Sequence, residues 1–168
     1  YVRPPHDWLP SAFTQWSIHH KQQKGPIEPF RVRARQLVSQ YHGVVSWFDR
    51  FGTHLMVRRY DKTTDIVADF GSALGLTLTP PAERSLERRE PAEVVLRALF
   101  NGRFDAPTLP ERFENQIFNS RRLSVTPLEE VMALCFDYEE MDEIIAERRG
   151  LFQGIARRTG LDLMAPQG

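Results

Sequence analysis

The sequence predicts a helix-rich α/β protein, and three observations carry that reading. His54-Leu55-Met56-Val57-Arg58-Arg59-Tyr60-Asp61 is a short apolar run bounded by turn residues, with helical periodicity on either side, as expected of a strand. Tyr1-Val2 reads as the carboxyl end of a second strand, followed by Arg3, a proline-stiffened turn and an amphipathic helix. Most of the remaining chain repeats its apolar residues at three- and four-residue intervals, the spacing of one helix face. In such α/β units ligands bind beyond the carboxyl ends of the strands, where Arg3 and Tyr60-Asp61 both lie.

Taken in order, Leu9, Phe13 and Trp16 fall on one face of a helix opened by Ser11 and stopped by Gly25-Pro26, with His19 and His20 in its last turns as ordinary surface or half-buried residues. A second helix runs from about Phe30 to Tyr41, its apolar side Phe30, Leu37, Val38 and Tyr41. Arg31, Arg33 and Arg35 alternate along it and are expected on a solvated face, with reach of one of them to an anionic substrate as the alternative. A short helix ending at Gly52 turns Val44, Val45, Trp47, Phe48 and Phe51 inward. After the strand, Thr63-Thr64-Asp65 caps a helix carrying Ile66, Val67, Phe70 and Leu74 and closed by Gly75. Residues 77–90 form an exposed connection. Helices resume over 91–102 and 109–119, and a long one starts at Thr126, where Thr126 and Glu129 make a capping box with Pro127 in the first helical position. Its stripe runs from Val131 to Ile145, and Arg148-Arg149-Gly150 ends it. Glu139, Glu140, Asp142 and Glu143 lack a histidine and read as its solvated outer face rather than as a metal site.

Of 168 residues, 41% are hydrophobic and 26% charged, the balance of one ordinary globular domain, here 1–164 with a disordered tail at 165–168. Lysine plus arginine and aspartate plus glutamate number 22 each, and the arginines are scattered, so no field argues for nucleic acid. No apolar run reaches the roughly 18 residues of a membrane span, and the single Cys135 fits a reducing compartment, so cytoplasm is expected. Tyr1-Val2, with no strand body before it, gives the further expectation that an N-terminal portion is missing.

The chemistry concentrates in the first sixteen residues. An arginine ending a strand and a serine at the mouth of the next helix can converge on one anion, with the amides and dipole of the helix directed at the same spot; a surface turn with a capped helix is the plain alternative. Arg3 and Ser11 in this setting resemble the 3′-phosphate-binding segment of sulfotransferases that use 3′-phosphoadenosine 5′-phosphosulfate. A second match follows in order: Val57-Arg58-Arg59-Tyr60-Asp61, then Asp69-Phe70 and Ala73-Leu74-Gly75-Leu76, is similar to the strand ending in Tyr-Glu and the Phe-Leu-Gly helix of that family, with Asp61 for the usual glutamate. Trp47-Phe48-Asp49-Arg50-Phe51-Gly52 and Gly150-Leu151-Phe152 resemble bacterial, polysaccharide-associated members.

The resemblance implies the carboxyl-terminal portion of a P-loop-type three-layer fold with an incomplete parallel sheet, and transfer of a sulfuryl group to a carbohydrate hydroxyl. It assigns Arg3 and Ser11 to the nucleotide and gives His6, in the phosphate turn, either a substrate contact or a packing role. Arg148-Arg149-Gly150 is similar to a late basic loop that also touches the 3′-phosphate, and Arg58 and Arg59 could steer an anionic glycan. The phosphosulfate loop and the catalytic base of the family fall ahead of Arg3, so the sequence names no base, and no metal is expected. A homo-oligomer through sheet edges is possible. The alternative is a non-catalytic scaffold that keeps the fold and binds a partner.

Overall fold

Local chemistry starts the first helix earlier than the serine does. In the computed structural model, which describes residues 1–81, 89–116 and 128–165, Pro4 is extended and Pro5 occupies the first helical position, so α1 spans Pro5–Phe13. Proline suits that position because its missing N–H would be unpaired there and its fixed φ is already helical. Ser11 therefore sits within the helix and does not open it.

From Thr14 to His19 the helix widens into a π-helical turn, closed by the His20 amide donating to the Gln15 carbonyl at 2.8 Å. The wider turn buries three successive residues, Ser17, Ile18 and His19, and the Asn101 amide donates to the Ile18 carbonyl. Next come α2 (Phe30–Leu37), a 3₁₀ turn (Val38–Tyr41), α3 (His42–Phe51), a further 3₁₀ turn (Gly52–His54) and α4 (Ile66–Ala73), whose amino end is capped by Asp65 accepting from the Val67 and Ala68 amides. Then follow α5 (Pro91–Asn101), α6 (Pro110–Gln116), α7 (Leu128–Phe136), α8 (Met141–Glu147) and α9 (Arg149–Thr159). Thr126 and Pro127 of the expected capping box, and residues 82–88 of the exposed connection, lie outside the described residues.

The core gathers Leu9, Phe13 and Ile18 with Phe30, Ala34, Leu37, Val38 and Tyr41, and closes with Val94, Val95, Ile144, Ile145, Phe152 and Ile155 from α5, α8 and α9. Each large apolar side chain fully buried this way contributes about 1.5 to 3 kcal/mol. Edge-to-face rings run through it: Phe13 on Phe30 at 5.5 Å, Phe30 on Tyr138 at 5.0 Å, and Tyr41 on Phe152 at 5.0 Å.

Several expectations are corrected here. No strand forms among the described residues: the pairing of the run Leu55 to Tyr60 is one parallel bridge between Val2 and Arg59, with the Val2 amide on the Arg58 carbonyl at 2.7 Å and the Tyr60 amide on the Val2 carbonyl at 2.8 Å. The chain is helix-rich as expected, whereas a sheet and three layers are not seen among the described residues.

The long helix expected up to Gly150 divides into α7 and α8, because Asp137 to Glu140 break it and Glu140 takes a left-handed φ of 59°, and α9 begins directly after Arg148. Gly150 lies inside α9 rather than at a helix stop. Arg31 and Arg35, four apart and so on one face, pair with Glu139 at 3.2 Å and Glu140 at 2.8 Å, so part of the acidic cluster fastens this break to α2.

α3 buries none of its residues and leaves Trp47 64% exposed, against the inward packing its periodicity implied. Lys21, in the polar run Lys21-Gln22-Gln23-Lys24, is 1% exposed, its ammonium donating to the Phe104 and Ala106 carbonyls beside an antiparallel bridge to Thr108. Burial pulls its pKa below the ordinary lysine range, against the opposing charge of Asp105.

Candidate functional site

Tethering Val2 to residues 58 and 60 delivers the next side chain, Arg3, over the exposed flank of α1. The Arg3 guanidinium lies 4.4 Å from the centre of the Tyr60 ring, and its Nη1 donates to the Ser11 Oγ at 3.5 Å. The Tyr41 hydroxyl donates to the Arg3 carbonyl at 2.5 Å, which fixes the backbone from the other side. Burial raises the Tyr41 pKa, with Arg3 opposing the rise, so the phenol stays a donor. No carboxylate pairs with Arg3 among the described residues, which leaves its charge available to an anion.

Arg3 and Ser11 open onto a hollow of about 520 Å³, within the usual range for a site that binds a small molecule. Its polar lining adds Gln15 and Gln40, and Trp8, Trp16, Tyr41 and Tyr60 supply an aromatic wall. Trp8 meets Trp16 at 5.7 Å and Tyr41 at 5.2 Å, both edge to face. Ala12, Val44, Tyr1 and Val2 complete the lining. A cation and a hydroxyl beside aromatic faces can take a phosphorylated ring compound, the anion on Arg3 and the ring along the wall.

The structure thus brings Arg3 and Ser11 together, but not in the way the turn implied. Ser11 is six residues past Pro5, about 9 Å along the axis at 1.5 Å per residue, so the amino end of α1 is not directed at it. The first-turn amides of Asp7 and Trp8 already bond the Pro4 carbonyl at 3.2 and 2.9 Å. The site is built from side chains and not from a cradle of amides. His6 is not brought to the hollow: its Nε2 lies 2.9 Å from Asp142, joining the start of α1 to α8.

The other basic residues separate as well. Arg58 pairs with Asp69, whose other oxygen accepts from the Tyr1 hydroxyl at 2.5 Å. The Tyr1 hydrogen bond and then Arg58 hold the Asp69 carboxyl below the ordinary range. Arg59 donates to the Asp162 and Ala165 carbonyls at 3.1 and 2.7 Å, and Lys62 pairs with Asp7. Arg148 and Gly150 line a different hollow, which shares no residue with the first.

The wall formed by Trp8 and Trp16 was missed because helical spacing put Trp16 on one apolar face with Leu9 and Phe13. The available signal was aromatic residues eight apart on an interrupted helix. Among the described residues no group of histidine, cysteine, aspartate and glutamate could hold a metal ion, and no helix is long and apolar enough to cross a membrane. Compared with known proteins, the chain matches no family model, no curated protein and no solved structure.

Proposed function

We propose that this chain is sulfotransferase-like and binds the 3′-phosphate of 3′-phosphoadenosine 5′-phosphosulfate between Arg3 and Ser11, for sulfuryl transfer to a hydroxyl of a carbohydrate acceptor. The observation that carries the reading is the convergence of the Arg3 guanidinium and the Ser11 hydroxyl, 3.5 Å apart, on one hollow with an aromatic wall. The two segments that carry the resemblance, around Arg3 and around Tyr60, also meet in space through the bridge of Val2 with Arg59 and the Arg3–Tyr60 contact. In this proposal that bridge belongs to the parallel sheet of a three-layer, P-loop-type fold.

The role of Arg3 and Ser11 is to anchor and orient the nucleotide. In the transfer itself the sulfur–oxygen bond to the phosphate breaks as a sulfur–oxygen bond to the acceptor forms, and the acceptor hydroxyl loses its proton to a base. Calorimetric titration with 3′-phosphoadenosine 5′-phosphate, beside its analogue lacking the 3′-phosphate, tests the reading. Tighter binding of the 3′-phosphorylated form by at least about tenfold, some 1.4 kcal/mol, is expected. Equal affinities, or no binding of either, would remove it.

A second reading, a partner-binding module on the same scaffold, is favoured by the apolar side chains exposed on and near α3 and α4, including Trp47, Met56 and Leu74. It requires no nucleotide, so the same titration separates the two.

A further inference from the structure

The second hollow, about 390 Å³, lies against α9 and α3. Gly150, Leu151, Gly154, Arg157 and Arg158 recur at helical spacing on one side of α9, and His42 and Val45 of α3 contribute the facing lining. Arg148 stands at the junction of α8 and α9 beside Glu147.

The charges there are unevenly answered. Arg158 is matched by Asp49 at 3.0 Å and by the Gly154 carbonyl at 3.3 Å, and Glu147 reaches Arg35 at 3.6 Å. Arg148 and Arg157 meet no carboxylate within ion-pair distance among the described residues, although the whole chain carries no net charge. Three arginines against one glutamate leave the lining net positive, and a cleft with an excess of one sign of charge concentrates its field on a counter-ion. The floor is open as well as basic: a methyl at Gly150 would meet nothing within 4 Å, and one at Gly154 would meet only the Arg158 guanidinium, at 3.5 Å.

We propose that this hollow is a second anion site, holding a carboxylate or sulfate ester of an acidic saccharide, the acceptor class of the function proposed above, on which this inference rests. The first hollow has five aromatic side chains in its lining, whereas the second has none apart from the imidazole of His42. Its apolar lining is Val45, Leu151 and two glycines, which suits the C–H face of a sugar better than a nucleobase. Both hollows draw lining from α3. Val44 lines the first and Val45 the second, and neighbours on a helix point about 100° apart. An extended saccharide can therefore be gripped on one side of α3 while a hydroxyl further along it reaches the other.

The test uses the full chain and two probes, a heparin-type tetrasaccharide and 3′-phosphoadenosine 5′-phosphate, each titrated calorimetrically against wild type, Arg148→Ala/Arg157→Ala, Gly150→Leu and the charge-matched control Lys24→Gln/Arg50→Gln. Wild type should bind the tetrasaccharide and bind a neutral tetrasaccharide far more weakly. The arginine pair should lose at least about tenfold for the sulfated probe, as expected when charge-assisted contacts are removed. The control should change less than about threefold, in keeping with screened exposed charges. Gly150→Leu fills the floor without altering charge and should give a similar loss, which keeps the proposal testable if the double variant melts early.

Equal affinity of wild type and both site variants overturns the inference, as does an equal loss in the control or no binding by wild type. Loss of nucleotide affinity in the arginine pair would reassign the site to phosphate and also overturn it. If wild type ignores the nucleotide but loses the saccharide in the site variants, the sulfotransferase reading fails and this anion site stands.

Discussion

Replacing Arg3 with alanine removes a guanidinium whose contacts within the protein are few and whose charge no carboxylate answers among the described residues. The fold should lose little. The hydrogen bond to Ser11 is at the 3.5 Å limit, and an exposed cation over an aromatic ring contributes about 0.5 to 1 kcal/mol. The bridge of Val2 with Arg59 is made by backbone atoms that the substitution leaves in place. Stability should therefore fall by no more than about 1 kcal/mol, a melting shift of about 2 to 4 °C.

Phosphate binding should suffer more. Loss of charge-assisted hydrogen bonds to a phosphate costs about 2 to 3 kcal/mol, or about 30- to 150-fold in affinity. Calorimetry with 3′-phosphoadenosine 5′-phosphate measures this loss, and a thermal melt on the same sample shows that the fold is intact. Arg3→Lys should fall between wild type and alanine, because it keeps the charge and loses the fork. An Arg3→Ala protein that melts normally and binds within about threefold of wild type would refute the assignment, since a change that small is under 1 kcal/mol.

Two further outcomes test the structure away from the site. Lys21→Met keeps an unbranched apolar stem but leaves the Phe104 and Ala106 carbonyls without their donor, so urea titration should show a loss of about 1 to 3 kcal/mol. A neutral result would mean that Lys21 does not hold this loop. Cys135 is fully buried and its thiol is pushed up to about 12 by burial, so a disulfide reagent at pH 8 should leave the native protein unlabelled and react promptly in denaturant; prompt labelling of the native form would contradict the packing around α7.

Much of the fold follows from residues that act locally. Pro91 starts α5, Asp65 caps α4, and the apolar side of α2 with its 3₁₀ extension is buried at Phe30, Leu37, Val38 and Tyr41 as its spacing implied. What was not legible depends on partners distant in sequence. Leu55 to Tyr60 has strand composition, yet a strand requires a neighbour, and here that neighbour is the single residue Val2. The periodicity through Tyr138 continues across the break between α7 and α8, where no proline or glycine marks it, and the turn is made by Glu140 with its side chain on Arg35. The polarity of Lys21 pointed to solvent, whereas two carbonyls 83 and 85 residues away draw it inside. At the candidate site, residue types identified Arg3 and Ser11 and left out the aromatic wall, because the geometry that gathers it lies in an irregular turn.

That irregular turn also sets how the site answers to chain length. A π turn closes its hydrogen bond over five residues instead of four, so it holds about one residue more than an α turn. It lets Trp16 return beside Trp8 at a separation of eight and carries Ile18 into the core. Removing one residue between Phe13 and Trp16 would let the chain wind regularly with the two tryptophans seven apart, two turns of an α-helix, so the residues beyond would keep nearly their present phase. The same deletion within the regular winding of α1 has no wide turn to absorb it and would rotate everything beyond by about 100°, moving Trp16 off the wall and Ile18 out of the core together.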